Sequence, residues 1–182
     1  MTVGVLALQG AFAAHARVLV ALGHATREVR TARDLDGLGG LVLPGGESTT
    51  QLKLLSAEPG FSKALTAFAT ERPVLCTCAG LILAARSVVQ PAQESFGWLD
   101  VTVARNAGGR QLDSFEAVSD EGGLPLVFIR APRILAVGPG VEVLARFDGE
   151  PILVRQGQVT AATFHPELTP DMRVHEGVFG LA

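Results

Sequence analysis

The sequence predicts an α/β domain with a mainly parallel sheet covered by helices on both faces and antiparallel strands added in the C-terminal half. Continuous apolar runs such as residues 3–8 and Gly40–Leu43 are typical of strands buried on both faces. Helical segments separate these runs up to about residue 90, and this alternation indicates a parallel sheet. Beyond Gln90, apolar runs follow one another across short turns such as Asp148-Gly149, which favours antiparallel hairpins.

Each element of the first half has a local signal for its beginning or end. Gln9-Gly10 ends the first strand, Gly23 closes an alanine-rich helix, and Pro44-Gly45-Gly46 ends the third strand. Ser48 is predicted to be the N-cap of the helix that follows. The predicted strands are residues 3–8, 25–30, Gly40–Leu43 and Val74–Thr77, and the predicted helices are residues 11–22, 48–55, 61–70 and 81–86.

The second half is predicted to consist almost entirely of strands, with one short closing helix. The strands are expected at residues 98–103, 112–117, 126–129, 141–147, 152–155 and 159–164, and the helix at residues 172–179. The chain contains no internal repeat, low-complexity tract or linker-like segment. A single domain over residues 1–182 is therefore the simplest expectation.

Composition limits the classes of function. The chain has 182 residues, of which 48% are hydrophobic and 18% charged, which suits one domain with a buried sheet and argues against disorder. A net charge of -3 without a basic stripe argues against nucleic-acid binding. Without a membrane-length apolar stretch or a basic N-terminal leader, we expect a cytoplasmic protein, and two cysteines one residue apart fit a reducing compartment.

Three loops should meet at one edge of the predicted sheet. Gln9-Gly10, residues 45–48 and Cys78 each follow a predicted strand directly. Because ligands bind beyond the carboxyl ends of the strands in open parallel sheets, these loops should surround one pocket.

Cys78 is the leading candidate for a reactive residue. A strand that breaks into a helix at a cysteine lifts the thiol from the sheet and aims backbone N–H groups at whatever the sulfur attacks. The alternative is an inert buried thiol, which is the commonest fate of a free cysteine. Cys76 is the rival nucleophile. An elbow nucleophile needs a small residue two positions later; Cys78 has Gly80 there, whereas Cys76 has Cys78. A Cys-x-Cys metal site lacks two further ligands, so no metal is expected.

His165 is the candidate acid and base. Pro166 stiffens the chain after it, and Glu167 can accept its N–H, an arrangement that fixes the imidazole tautomer. The alternative is a structural histidine at a strand end. The other histidines, His15, His24 and His175, are expected to be solvated or structural.

Two further groups of residues have both a structural and a functional interpretation. In residues 43–48 (LPGGES), Pro-Gly-Gly can simply form a turn, or its glycines can let backbone N–H groups approach a ligand; the spacing is not that of a P-loop. Glu47 is expected to be solvated unless a pocket orders it. Arg105 or Arg130 could hold a carboxylate with two hydrogen bonds, and the residues alone do not choose between them.

Taken together, the motifs resemble the glutaminase subunit of pyridoxal 5′-phosphate synthase, a class I (triad) glutamine amidotransferase family. They occur in the family's order from Leu6 to Thr169, and GGEST together with GRQ-x-DSFEA is specific to this subunit. The segments are LALQGA, LVLPGGESTT, CTCAGLILAA, GRQLDSFEA, FIRAP and ATFHPELT.

The resemblance implies a flavodoxin-like three-layer α/β/α sandwich and a role for each motif residue. It implies hydrolysis of L-glutamine to L-glutamate and ammonia through a cysteine thioester, without a cofactor. The ammonia would pass to a separate (β/α)8-barrel synthase subunit that makes pyridoxal 5′-phosphate and activates the glutaminase. The implied catalytic residues are Cys78, His165 and Glu167; the oxyanion hole uses Gly46 and Ala79; glutamine contacts Gly46, Glu47, Ser48, Arg105, Ile129 and Arg130; and Gln9 lies near the partner interface.

The sequence departs from the family pattern in three places. Cys76 replaces the usual glycine two residues before the nucleophile, residues 107–109 lack the usual aromatic, and relatives usually continue a C-terminal helix beyond the position of Ala182. Two alternative functions stay open. One is the glutaminase subunit of imidazole glycerol phosphate synthase, against which GGEST and GRQ-x-DSFEA argue. The other is a flavodoxin-like redox or stress protein with a reactive elbow cysteine.

Overall fold

The computed structural model describes residues 1–105 and 114–181, which form twelve strands, five α-helices and two short 3-10 helices. The strands are β1 (Thr2–Leu6), β2 (Ala25–Val29), β3 (Gly40–Leu43), β4 (Val74–Thr77), β5 (Ala85–Val89), β6 (Leu99–Ala104), β7 (Phe115–Val118), β8 (Pro125–Phe128), β9 (Arg133–Val137), β10 (Glu142–Phe147), β11 (Glu150–Gln156) and β12 (Val159–Ala162). The helices are α1 (Phe12–Ala21), α2 (Ser48–Ala57), α3 (Phe61–Glu71), α4 (Ala79–Ala84) and α5 (Arg173–Phe179), and the 3-10 helices are Ala32–Leu35 and Pro166–Leu168.

A seven-stranded central sheet organises the molecule. Its strand order is β10-β11-β12-β4-β3-β1-β2, and the five strands from β12 to β2 run parallel. The hairpins β10-β11 and β11-β12 extend this sheet in the antiparallel sense. β4 therefore lies at its centre, between β3 and β12, so that the loops after these three strands leave the same edge.

Alternation of side chains along the central strands produces three layers. In β4, Val74 and Cys76 belong to an apolar cluster with α2, α3 and α4, whereas Leu75 belongs to a second cluster with α1 and α5. Because successive side chains of a strand point to opposite faces, Thr77 lies on the same face as Leu75, beneath α1 and α5. The predicted three-layer α/β/α sandwich is confirmed.

Two small sheets cover the central layer. β5, β6 and β9 form one sheet whose apolar side chains join the cluster under α2 and α3. The hairpin β7-β8 packs on the opposite face, where the ring of Phe128 meets that of Phe164 edge-on at 6.2 Å between centroids. The hairpin therefore lies against the segment that leads from β12 to His165.

Three local predictions were wrong. The helix expected at residues 81–86 is α4, which ends at Ala84, because Ala85 pairs with Leu99 and begins β5. β9 was not predicted; only Ile134 is buried in it, so it lacks a clear apolar alternation. The N-cap of α2 is Glu47, whose carboxylate accepts hydrogen bonds from the Thr49 and Thr50 N–H groups, and Ser48 is the first helical residue.

Several expectations lie outside the described residues. The start of the strand expected at residues 112–117, the departure at residues 107–109 and the last residue, Ala182, belong to this group. Within the described part of the chain, no helix combines the length and apolar character needed to cross a membrane.

Candidate active site

The loops after β1, β3 and β4 meet at one edge of the sheet. The Ala11 N–H donates to the Gly45 carbonyl at 3.0 Å, and the Glu47 N–H donates to Gln9 Oε1 at 2.7 Å. The side-chain amide of Gln51 also joins the first two loops, since it donates to the carbonyls of Gln9 and Pro44. The predicted convergence of these loops is present in the structure.

Cys78 occupies a strained elbow between β4 and α4. Its φ of 48° and ψ of -101° lie outside the regions that most L-residues adopt. The Cys78 N–H donates to the Ala162 carbonyl at 2.9 Å, while its own carbonyl accepts from the Ile82 N–H at 3.2 Å. The elbow is thus fixed on both sides, which is how strained residues persist at functional sites.

Close packing beneath the elbow explains why Gly80 is required. A Cβ atom at this position would lie 2.2 Å from the Leu43 carbonyl oxygen, a backbone atom that cannot move aside. Cys76 is different, because it is fully buried within β4 and burial raises the pKa of its thiol. Cys78 is more buried than expected, with only 7% of its surface exposed. The thiol that the elbow lifts from the sheet is therefore largely shielded from solvent.

His165 lies beside the elbow and is oriented by Glu167. Its backbone N–H donates to the Val127 carbonyl of β8 at 2.9 Å. The 3-10 turn Pro166–Leu168 then brings the Glu167 carboxylate back to the ring, with 2.7 Å between His165 Nδ1 and Glu167 Oε1. The other ring nitrogen, Nε2, therefore stays available to exchange a proton with the Cys78 thiol.

Neighbouring charged groups offset the effect of burial on the pKa values of His165 and Glu167. Burial by itself lowers the pKa of His165, but hydrogen bonds to the Cys78 and Glu167 side chains and their negative charge outweigh it and raise the pKa to about 10. Burial also opposes the charge of Glu167, but the hydrogen bond from His165 holds its pKa below the usual range. A protonated imidazole between a carboxylate and a sulfur favours the nucleophilic thiolate.

Backbone N–H groups surround the elbow on two sides. Ala79 is the first residue of α4, so its N–H has no intrahelical partner. The Gly45 N–H donates to Thr77 Oγ1 at 3.0 Å, whereas the Gly46 N–H has no hydrogen-bond partner among the described residues. Ala79 and Gly46 therefore supply the donors available to a negative oxygen, and Gly45 is already engaged.

The Gly45→Ala variant is expected to lose activity because Gly45 packs directly against the imidazole. A Cβ atom there would lie 2.3 Å from Cε1 of His165. Since a misplacement of about 1 Å can cost roughly 100-fold in rate, we expect kcat of the reaction at this site to fall by about that factor. Gly177→Ala in α5 is the matched control, because nothing lies within 4 Å of its added Cβ. Equal activity of the two variants would contradict this explanation.

The residues after Gly46 form a polar wall anchored to the rest of the molecule. The Ser48 hydroxyl is buried and donates to Gln93 Oε1 at 3.0 Å. Glu47 has half of its side chain exposed, but it caps α2 and pairs with Arg105 at 3.3 Å. Its expected solvation is therefore only partial. Gln93, which sequence reasoning missed, offered no signal beyond its position in a loop.

The two candidate arginines differ in their surroundings. Arg105 Nη2 lies 2.9 Å from Thr49 Oγ1 as well as 3.3 Å from Glu47, so it is held against the loop after β3. Arg130 is exposed just after β8, has a φ of 44°, and makes no side-chain hydrogen bond or ion pair within residues 1–105 and 114–181. Ile129 is also exposed, two residues beyond the carbonyl that binds the His165 N–H.

Two histidines that sequence reasoning set aside lie directly behind Glu167. His15 and His175 are fully buried, with 2.8 Å between His15 Nδ1 and His175 Nε2, and His15 Nε2 lies 3.3 Å from Glu167 Oε2. His24 is also buried, but among the described residues its side chain hydrogen-bonds only to the Gly180 carbonyl. Of the two expectations for these residues, solvated or structural, their burial excludes the first and agrees with the second. The one sequence signal for His15 was a histidine at a buried position of a helix. The sequence alone did not identify its partners.

The described residues contain no group of three or more histidine, cysteine, aspartate or glutamate side chains arranged to hold a metal ion. A thiol, an imidazole and a carboxylate in sequence, facing free N–H donors, can perform nucleophilic acyl transfer.

Comparison with known proteins identifies close relatives over nearly the whole chain. Residues 5–179 match the model of the SNO glutamine amidotransferase family. The "Pyridoxal 5′-phosphate synthase subunit PdxT" of Koribacter versatilis (strain Ellin345) is 55% identical over 180 residues, which cover 97% of this chain and 93% of that protein. A crystal structure of a glutamine amidotransferase superposes with a TM-score of 0.91 at 46% identity, covering 98% of this chain and 97% of the other.

A more distant structure supports the fold alone. The structure of PurLQS from Thermotoga maritima contains a chain that superposes with a TM-score of 0.67 at 16% identity. The match covers 97% of this chain and 96% of that one.

Proposed function

The chain belongs to the SNO glutamine amidotransferase family, and we propose that it is the glutaminase subunit of a pyridoxal 5′-phosphate synthase. The observation that carries the proposal is the position of the His165 imidazole beside the Cys78 elbow, with its Nδ1 2.7 Å from Glu167 Oε1 and its pKa raised by the Cys78 and Glu167 side chains. The substrate is L-glutamine, the products are L-glutamate and ammonia, and the ammonia is used by a separate synthase subunit.

The reaction begins at the Cys78 sulfur. The thiolate attacks the side-chain amide carbon of glutamine, and the carbonyl oxygen becomes an oxyanion. The Gly46 and Ala79 N–H groups stabilise this oxygen; loss of one such donor typically costs about 3–4 kcal/mol. Protonated His165 then gives its proton to the amide nitrogen, which leaves as ammonia and produces a thioester on Cys78.

Hydrolysis of the thioester restores the enzyme. Neutral His165 takes a proton from water, which attacks the thioester carbon and yields a second oxyanion intermediate. When this intermediate collapses, glutamate leaves and the sulfur regains its negative charge beside the imidazolium. Glu167 holds the ring in one tautomer throughout and offsets its positive charge.

Recognition of glutamine requires groups that pair with its α-carboxylate and α-amino group. Arg130 follows the strand that binds the His165 N–H and has no partner within residues 1–105 and 114–181, which leaves its guanidinium free to hold the α-carboxylate with two hydrogen bonds. Glu47 and Ser48 form the polar wall beside Gly46, and Arg105 orders Glu47. Ile129 supplies apolar surface next to Arg130.

Arg130→Ala is expected to raise KM for glutamine by about 10- to 100-fold, since a hydrogen bond to a charged group contributes about 1.5–3 kcal/mol. Glutaminase kinetics of the complex with the synthase subunit measure this directly. Arg155→Ala serves as the control, because Arg155 is an equally exposed arginine whose partner is Glu142 on β10. An unchanged KM, with unchanged activation by the synthase subunit, would remove Arg130 from glutamine recognition.

The partner is a (β/α)8-barrel synthase subunit that receives the ammonia and forms a hetero-oligomer with this chain. Gln9 supports a link between the partner and the site, because its side chain accepts from the Glu47 N–H while its backbone carbonyl accepts from Gln51. A partner that displaces the loop after β1 would therefore change the loop that carries the Gly46 donor.

The decisive experiment measures glutamine hydrolysis by this chain alone, with the barrel subunit of pyridoxal 5′-phosphate synthase, and with the barrel subunit of imidazole glycerol phosphate synthase. We expect activation by the first barrel only. Activation by the second barrel instead would assign the chain to that complex, and failure of both with a correctly folded chain would contradict the glutaminase function.

A further inference from the structure

A buried chain of polar side chains continues behind the proposed triad. His15 on α1 and His175 on α5 are fully buried, and His15 Nδ1 lies 2.8 Å from His175 Nε2. On its other side, His15 Nε2 lies 3.3 Å from Glu167 Oε2 and 3.1 Å from Thr77 Oγ1. Each Glu167 oxygen thus faces a different imidazole, because Oε1 bonds to His165.

The neighbouring groups determine the tautomer of His15. A bare ring nitrogen facing the Glu167 carboxylate would place two electron pairs against each other, so Nε2 has to carry the proton. Nδ1 of His15 must then accept from the Nε2–H of His175. This assignment agrees with His175 Nδ1, which has no hydrogen-bond partner within residues 1–105 and 114–181 and can remain an unprotonated nitrogen.

Thr77 connects this imidazole to the loop with the oxyanion donors. The Thr77 hydroxyl oxygen receives the Gly45 N–H at 3.0 Å and faces His15 Nε2. Gly45 precedes Gly46, whose N–H is free, and packs against the His165 ring. One nitrogen of His15 therefore contacts both the carboxylate that orients His165 and the hydroxyl that fixes the loop after β3.

We propose that His15 is a positioning residue whose Nε2–H group fixes the positions of Glu167 and Thr77. Glu167 in turn positions the His165 imidazole, and Thr77 positions the loop with the Gly46 donor, so that both stay in place around Cys78. The proposal rests on the proposed function for the reaction it supports. His15 touches neither the substrate nor the sulfur in this arrangement, and acts through the two residues that it contacts.

His15 must remain neutral for this role. Burial is the main cause that lowers its pKa, to about 4; the charge of Glu167 opposes this effect and that of His165 adds to it. The facing titratable groups are Glu167, His165 and His175, and burial also lowers the pKa of His175, to about 3. A neutral His15 can direct its Nε2–H at Glu167 Oε2, which lies 3.3 Å away and has no hydrogen-bond partner among the described residues, without competing with His165 for the negative charge.

Two substitutions of His15 separate positioning from simple packing. The amide nitrogen of His15→Gln can stand where Nε2 stands and donate to Glu167, but the variant loses the acceptor for His175. His15→Asn places its amide near the position of Nδ1, so it keeps a contact with His175 and loses the donor to Glu167. Each variant removes one of the two contacts, so both should lower the unfolding temperature to a similar extent.

The two variants should differ in catalysis, measured in the complex with the synthase subunit. We expect His15→Asn to lower kcat about 10- to 100-fold with KM within about threefold of wild type, and His15→Gln to retain kcat within about threefold. Thr77→Val, which keeps the shape of the strand residue, should lower kcat about tenfold. His24→Asn removes a buried histidine bonded only to the Gly180 carbonyl and should leave kcat unchanged.

A second measurement does not depend on glutamine hydrolysis. The rate at which iodoacetamide alkylates Cys78, mapped by mass spectrometry from pH 5 to 9, reports the thiolate held by His165. At each pH in this range, alkylation should be slower in His15→Asn than in the wild type and unchanged in His15→Gln. If the wild-type complex did not hydrolyse glutamine, the proposed function would fail while this measurement still tested His15. Equal kcat and equal alkylation profiles in the two His15 variants, or an unchanged Thr77→Val enzyme, would overturn the proposal.

Discussion

Cys78→Ala is expected to abolish glutamine hydrolysis while the complex still makes pyridoxal 5′-phosphate from added ammonium. Without the sulfur no thioester can form, and loss of a catalytic nucleophile typically lowers kcat by about 10⁴- to 10⁶-fold. Synthesis from ammonium bypasses this step under the proposed function, in which the second reaction takes place on a separate synthase subunit. Parallel assays of glutamate release and of ammonium-supported synthesis measure the two activities.

Cys76→Ala is the matched control, since it also removes one of the two thiols. Cys76 is buried between β3 and β12, so its replacement should lower stability without affecting hydrolysis. Persistent hydrolysis in Cys78→Ala would mean that another residue is the nucleophile. Loss of ammonium-supported synthesis as well would argue against separate sites. If the wild-type complex never released glutamate, and Cys78→Ala lost sensitivity to peroxide, the redox alternative would be favoured.

His165→Ala is expected to lower kcat by about 10⁴-fold or more, because the variant loses both the acid that protonates ammonia and the base that activates water. It also removes the group that bonds to both Cys78 and Glu167. Glutaminase kinetics in the complex give the loss, and a fall in kcat much larger than the change in KM would locate the defect in the chemical steps.

The control for His165 has to be another histidine of similar burial. His24→Ala meets this requirement, because His24 is 4% exposed and bonds only to the Gly180 carbonyl. It should reduce stability and leave the kcat of the folded fraction unchanged. A His165→Ala variant with near-normal activity would remove this residue from the mechanism.

The motifs at the ends of strands were predictable because they combine local geometry with chemistry. A glycine two residues after Cys78 distinguished it from Cys76, and the close approach of Gly80 to the Leu43 carbonyl is the physical reason. The family predicted from these motifs is confirmed by the match over residues 5–179. The roles of the individual residues stay predictions until the variants are measured.

Other features depended on contacts between distant parts of the chain. His15 was expected to be a solvated or structural residue of an alanine-rich helix, because nothing near it in sequence identifies Glu167 or His175 as partners. Ser48 was predicted to cap α2, yet Glu47 does so because its carboxylate reaches two N–H groups and also pairs with Arg105. The strand β5 was missed because pairing of Ala85 with Leu99 overrides the helical preference of an alanine-rich segment.

The amino-acid sequence by itself determined which loops follow the parallel strands, where the cysteine elbow lies and where the His-Pro-Glu segment lies. Each of these features depends on residues that are adjacent along the chain. Only the tertiary structure decided how deeply Cys78 is buried, which backbone N–H groups remain free, and that two more imidazoles stand behind Glu167. These properties arise where α1, α5 and the turn after β12 pack on one face of β4. Burial and hydrogen bonding at such a junction depend on every element that meets there, and no single segment specifies them.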